Sequence, residues 1–158
     1  MGDQLALFDM PQTTRSSDDY WTPKWLFDAL GLVFDIDVAC PPEGPAHTPC
    51  KRFFTQADDG LAQPWEGLVF MNPPFSNTTP WVDKWISHKN GIALLPEVSR
   101  PWRNALFAAA DGIVALPARM KFDVPDNRRG DIRYATSLYA IGKSAMQGLK
   151  QANLGRVH

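Results

Sequence analysis

Apolar positions along this chain fall into short runs separated by polar turns, alternating between the 3.6-residue period of helices and the compact clusters of buried strands. Trp25, Leu26, Ala29 and Leu30 lie at helical spacing. Ahead of them Thr22-Pro23 offers a capping hydroxyl followed by a first-turn proline, and Gly31 supplies a stop. Leu32 to Val38 reads as a short buried strand ending in acids, followed by a loop rich in Pro and Gly from Pro41 to Pro49. Arg52 to Thr55 reads as a second strand leading to a turn at Asp58-Asp59-Gly60. Gly67 to Met71 is a third, and it must stop where Pro73 and Pro74 can no longer supply ladder hydrogen bonds. Trp81, Trp85 and Ile86 predict a helix, Ile92 to Leu95 a strand, and Pro101 to Ala110 a helix. Gly112 to Leu116, Met120 to Phe122 and Thr136 to Ile141 complete the strands. Strands alternating with helices predict an α/β domain whose mostly parallel sheet is covered on both faces, with its site outside the carboxyl ends of the strands. Residues 1–19 carry no sustained period and are expected to form a flexible leader, with the folded domain over 20–145 and a tail over 146–158.

At 158 residues there is room for one ordinary domain with a real core. No apolar run approaches the ~20 residues that cross a bilayer, and the polar, acidic start lacks the features of a secretory signal, so an intracellular (cytoplasmic) location and reduced thiols are expected. Cys40, His47 and Cys50 are three potential ligands where a zinc motif normally supplies four, so no metal is expected. The net charge of −1 hides a division: acids outnumber Lys and Arg 11 to 4 up to Gly67, and Lys and Arg outnumber acids 12 to 6 from Leu68 onward. An acidic half suits the hydroxyls and amines of a cofactor and a basic half suits phosphates, although chance surface charge gives the same count.

The sharpest chemical feature is Asn72-Pro73-Pro74-Phe75, straight after an apolar strand. An amine conjugated with a ring or carbonyl is a poor nucleophile until hydrogen-bond acceptors draw it toward tetrahedral geometry. The Asn72 side-chain oxygen and the rigidly held Pro73 carbonyl can each accept one N–H, and Phe75 can stack on a planar group. A strand-ending turn uses the same residue types, so four letters alone do not decide between the two.

The surrounding segments carry the decision. Trp21-Thr22-Pro23, Phe34-Asp35-Ile36-Asp37-Val38-Ala39, Phe53-Phe54-Thr55 with Asp58-Asp59-Gly60-Leu61, Met71-Asn72-Pro73-Pro74-Phe75, Leu94-Leu95-Pro96 and Arg119-Met120-Lys121-Phe122 occur in that order. In this the chain resembles the small phage-type DNA N-6-adenine-methyltransferase family from Trp21 to about Gly142. The resemblance implies an abbreviated Rossmann-like class I methyltransferase fold. It also implies S-adenosylmethionine as methyl donor, DNA adenine flipped out of the duplex as acceptor, and a phage or prophage setting in a bacterial host. Asn72, Pro73, Pro74 and Phe75 would be catalytic. Trp21, Thr22 and Pro23 would cradle the carboxylate of the cofactor at a helix start. Asp35 or Asp37 would meet its ammonium, and Asp58 or Asp59 its adenine amine. One departure stands out: no Gly-x-Gly loop follows the first strand, only Pro41-Pro42-Glu43-Gly44-Pro45. The interval from Asp37 to Asp58 is also too brief for a full helix and strand, so no ribose-gripping acid is assigned.

In the basic half Arg100, Arg103, Arg119, Lys121, Arg128, Arg129 and Arg133 are candidates for phosphate contacts, with Arg119, Lys121 and the Arg128/Arg129 pair foremost; a solvated surface is the plainer reading of each. Trp81, Trp85 and Trp102 read as helix-packing residues. Two other functions suit the same residues. One is methylation of a glutamine amide in a protein, whose nitrogen is likewise conjugated. The other is a DNA-binding module that keeps the fold without turnover, which the missing glycine loop suggests.

Overall fold

The computed structural model describes residues 21–117, 121–122, 130–131 and 135–158. The first helix among the described residues, α1 (Lys24–Leu30), buries Leu26, Phe27 and Leu30 and ends where Gly31 adopts φ 61°, its amide returning to the Phe27 carbonyl. Six strands follow in one sheet: β1 (Phe34–Asp37), β2 (Cys50–Phe53), β3 (Val69–Met71), β4 (Gly91–Pro96), β5 (Gly112–Ala115) and β8 (Thr136–Ile141), in the spatial order β2-β1-β3-β4-β8-β5. The first four are mutually parallel; β8 runs antiparallel between β4 and β5. The short strands β6 (Lys121–Phe122) and β7 (Gly130–Asp131) pair antiparallel in a ribbon of their own. The strand expected over 120–122 is thus outside the main sheet.

Helices cover both faces. On one, α1 packs against α4 (Lys143–Gln151) over Phe34, Phe70, Ile92, Leu94 and Leu138. On the other, α2 (Thr79–His88) packs against α3 (Pro101–Ala109) over Ile36, Met71, Ala93, Leu95 and Tyr139. Phe34 and Ile36 reach opposite faces although two residues apart. The Asp35 and Ile36 amides both donate to the Leu68 carbonyl, at 2.7 and 3.4 Å, so an extra residue is accommodated here and the alternation slips by one, as at a bulge. The packed body also runs past residue 145, where the sequence reading placed a tail. Ala145, Gly148 and Leu149 of α4 are buried, and the His158 amide and carbonyl pair with Ile113 at the edge of the sheet.

Chain direction fixes where a ligand can sit. From β1 the chain first steps outward to β2, then crosses back to β3 and continues to β4 on the other side. A crevice opens where the order reverses, outside the carboxyl ends of β1 and β3. The connection from β1 to β2 contains no helix, only residues 38–49, so the crevice is walled by loop on that side.

Candidate active site

A cavity of about 380 Å³ occupies this crevice. Its floor is the end of β1 and the turn after it, Asp37 to Pro42; one wall is Trp21 and Thr22 with Asn72, Pro73 and Pro74. The other wall is Thr55, Gln56, Asp59 and Gly60 beyond β2, and the Trp81 ring closes the apolar side. The backbone crowds at Gly60, where a Cβ would stand 2.1 Å from the Val38 carbonyl oxygen. The Gly60 carbonyl meanwhile accepts the Trp65 indole N–H at 2.8 Å, which holds the loop down. Gly60→Ala must therefore push Asp59 and its neighbours off the cavity; urea unfolding is expected to show a loss of about 1–3 kcal/mol, the usual scale for overpacking.

Asp37 is 3 % exposed, the one buried carboxylate among the described residues. It accepts the Thr48 hydroxyl at 2.7 Å and the Ala39 amide at 3.3 Å. Burial outweighs those two bonds and pushes its carboxyl up from the ordinary 3.8 to about 6. Because the folded pKa lies above the unfolded one, this group stabilises the fold fully below pH ~4, and the contribution is lost as pH rises through about 6. The difference corresponds to about 3 kcal/mol. An acid that costs stability when ionised is suited to a cation that arrives with a ligand.

Asn72 is half-buried directly past β3, and its Nδ2 donates to the Thr22 hydroxyl oxygen at 3.1 Å. Pro74 and Phe75 are held by the buried Thr78, whose hydroxyl reaches both carbonyls at 3.3 Å. The loop is therefore braced from behind, and Asn72 lines the cavity beside it.

The structure gathers Trp21, Thr22, Asp37, Asp59, Asn72, Pro73 and Pro74 around one cavity. It separates Pro23, Asp35, Asp58 and Phe75 from its lining. Pro23 takes the N-cap position of α1, so the helix starts at Lys24, one residue later than expected, and the Thr22 hydroxyl oxygen accepts from Asn72. Asp35 accepts the Leu68 amide at 2.7 Å and lies 3.3 Å from Lys51; the backbone bond is the main cause of its lowered pKa. Asp58 closes a capping box with Thr55 on the 3-10 turn Gln56–Asp58. Asp59 instead holds φ 53°, a backbone conformation uncommon for a non-glycine residue. Phe75 opens the 3-10 turn Phe75–Asn77.

Thr48 and Gln56 join the site without having been singled out; Thr48 lies in a proline-rich loop whose sequence carries no trace of its partner eleven residues away. Among the basic candidates, Arg100 is exposed, and Arg103 is engaged by Glu97 at 2.8 Å and stacked on Phe107. Arg119, Arg128, Arg129 and Arg133 lie outside the described residues, as does the side chain of Lys121. Cys40 and Cys50 are free thiols, and no helix among the described residues is long and apolar enough to cross a membrane.

Known proteins resemble this chain over most of its length. The family described as DNA N-6-adenine-methyltransferase (Dam) matches residues 11–145. The DNA N-6-adenine-methyltransferase of Haemophilus phage HP1 (strain HP1c1) is 33% identical over 116 residues, covering 66% of this chain and 65% of that protein. The match thus spans just under two thirds of the relative's length. No solved structure matches.

Proposed function

The chain belongs to the DNA N-6-adenine-methyltransferase (Dam) family, and from that premise we propose that it transfers a methyl group from S-adenosylmethionine to the N6 amine of adenine in DNA. The observation that carries the reading is the meeting of Asn72 and Asp37 in one cavity at the carboxyl ends of adjacent parallel strands. Nothing about strand β3 itself requires Asn-Pro-Pro there, whereas an amine acceptor beside a cation site does.

The lining fits the donor. S-adenosylmethionine combines an ammonium, ribose hydroxyls, an adenine ring and a sulfonium that supplies an electrophilic methyl. Asp37 offers a buried carboxylate for the ammonium; Thr55, Gln56 and Asp59, beyond the end of β2, offer partners for hydroxyls and the exocyclic amine; Trp81 and Val38 offer apolar surface. The absent glycine loop is replaced by a proline-rich turn, so the floor is stiff where glycine-bearing relatives of this architecture approach their ligand by backbone. Because the cavity's cation site is half protonated near pH 6, donor affinity is expected to fall about tenfold from pH 8 to pH 5, following the ionised fraction of Asp37. Calorimetric titration at the two pH values checks this; equal affinities contradict the assignment of Asp37.

On the substrate side, the Asn72 oxygen and the Pro73 carbonyl accept the two N–H groups of the amine and draw its lone pair out of conjugation. Phe75, outside the cavity lining but next in sequence to Pro74 at its rim, is the ring proposed to stack on an extruded adenine, offsetting part of the unstacking cost. S-adenosylmethionine, held by Asp37, Thr55, Gln56 and Asp59, would supply the electrophilic methyl to the amine held by Asn72 and Pro73, with the amine proton passing to solvent. Arg128 and Arg129, with Arg119 and Lys121, supply phosphate contacts from the basic half of the sequence. The fold this implies is a shortened Rossmann-like methyltransferase sheet. Incubation with labelled donor and either DNA or protein acceptors tests the reading: label in DNA supports it, and label confined to glutamine amides of protein replaces the substrate class.

A further inference from the structure

Resting on that reading of function, we propose that Thr22 is a positioning residue that fixes which way the Asn72 carboxamide faces. A carboxamide is nearly symmetric in shape but opposite in chemistry at its two ends. With Oδ1 toward the substrate it accepts an N–H; turned over, it presents N–H to an amine that is itself a donor, and the activation is lost. Something in the protein must make one orientation the stable one.

The backbone next to Asn72 cannot do so. Asn side chains commonly fold onto the amide two residues ahead, but here both following residues are proline and have no N–H. The Asn72 oxygen is therefore left without that local partner. Its nitrogen finds an acceptor fifty residues away in sequence, the Thr22 hydroxyl, at 3.1 Å. Thr22 is itself a firm support. It is 6 % exposed, and the buried Pro23 behind it sets the entry into α1, which anchors Leu26, Phe27 and Leu30 in the core. The double proline and the distant threonine act on the two ends of one side chain, one freeing the oxygen and the other holding the nitrogen.

Three proteins test this: Thr22→Val, which keeps the shape and removes the oxygen, Thr22→Ser, which restores it, and Asn72→Ala. In nitrogen–proton correlation spectra the Asn72 side-chain amide, assigned by its loss in Asn72→Ala, is expected to move toward free-carboxamide shifts in Thr22→Val and to stay near its native position in Thr22→Ser. In methyl transfer at saturating donor, Thr22→Val is expected to lose roughly 10- to 100-fold in kcat; Thr22→Ser recovers most of the rate. Thr22→Val placed on Asn72→Ala adds no further loss. An unmoved amide signal, a native kcat in Thr22→Val, or a loss that multiplies with that of Asn72→Ala overturns the inference. The spectra decide the contact even if no adenine product forms in any protein, which is the separate result that would remove the functional reading.

Discussion

Asn72→Ala is expected to reduce methyl transfer to adenine by at least ~100-fold, the scale of removing one positioned hydrogen-bond partner from an active site. The stability cost should be small. Asn72 is half-buried and, among the described residues, its side chain hydrogen-bonds to Thr22, so about 1 kcal/mol is at stake. Donor binding should also survive, because the proposed cation site is Asp37 on the neighbouring strand and no side-chain bond among the described residues joins it to Asn72. The signature is therefore a fall in kcat with unfolding midpoint and donor Kd nearly unchanged. A comparable loss of donor affinity would mean that Asn72 serves the cofactor and not the acceptor base.

The second large effect is at Asp37. Asp37→Asn keeps the shape and a hydrogen-bonding side chain but removes the charge that a ligand ammonium would meet, and donor affinity is expected to fall by about 100-fold, within the range for truncating one side of a buried charge pair. The same substitution should make the ligand-free protein more stable at pH 8, because the wild-type carboxyl, with its pKa raised to about 6, is ionised there at a cost imposed by burial. Below pH ~4 the two proteins should converge, since the wild-type group is then neutral as well. Calorimetric titration gives the affinity, and urea unfolding at the two pH values gives the stability. A variant that binds donor like wild type would return Asp37 to a structural role, holding Thr48 and the turn at Ala39.

Much of this arrangement is legible in the residues. The apolar run before Asn72 and the two prolines after it locate the end of β3, and the Asp at the end of the first run locates the end of β1. Given α/β alternation, those two ends become neighbours of the crevice. What the pattern does not carry is strand direction: Thr136 to Ile141 reads as a strand, but all six of its residues are buried, and a two-sided apolar run looks the same whichever way it runs between β4 and β5. The helix α4 escaped because its buried side is only Ala145, Gly148 and Leu149, too small and sparse to register against five polar or charged neighbours. Within the site, Asp35 and Asp37 are two residues apart and alike in sequence; the bulge at Asp35 turns one toward Leu68 and leaves the other on the cavity floor. Asp58 and Asp59 divide in the same way, one spent on closing a turn and the other facing the cavity. The choice between Asp35 and Asp37 is made by a contact between distant segments, as is the bond from Asn72 to Thr22, whereas the box that takes Asp58 is local.

On the proposed reading, a methyl group meets an adenine amine at Asn72. Nucleosides from DNA incubated with S-adenosylmethionine and either wild type or Asn72→Ala, separated and counted for N6-methyldeoxyadenosine, test it most directly. The product should accumulate with wild type and be reduced at least ~100-fold with the variant. Equal product from both proteins, or methylation of a base other than adenine, would contradict it.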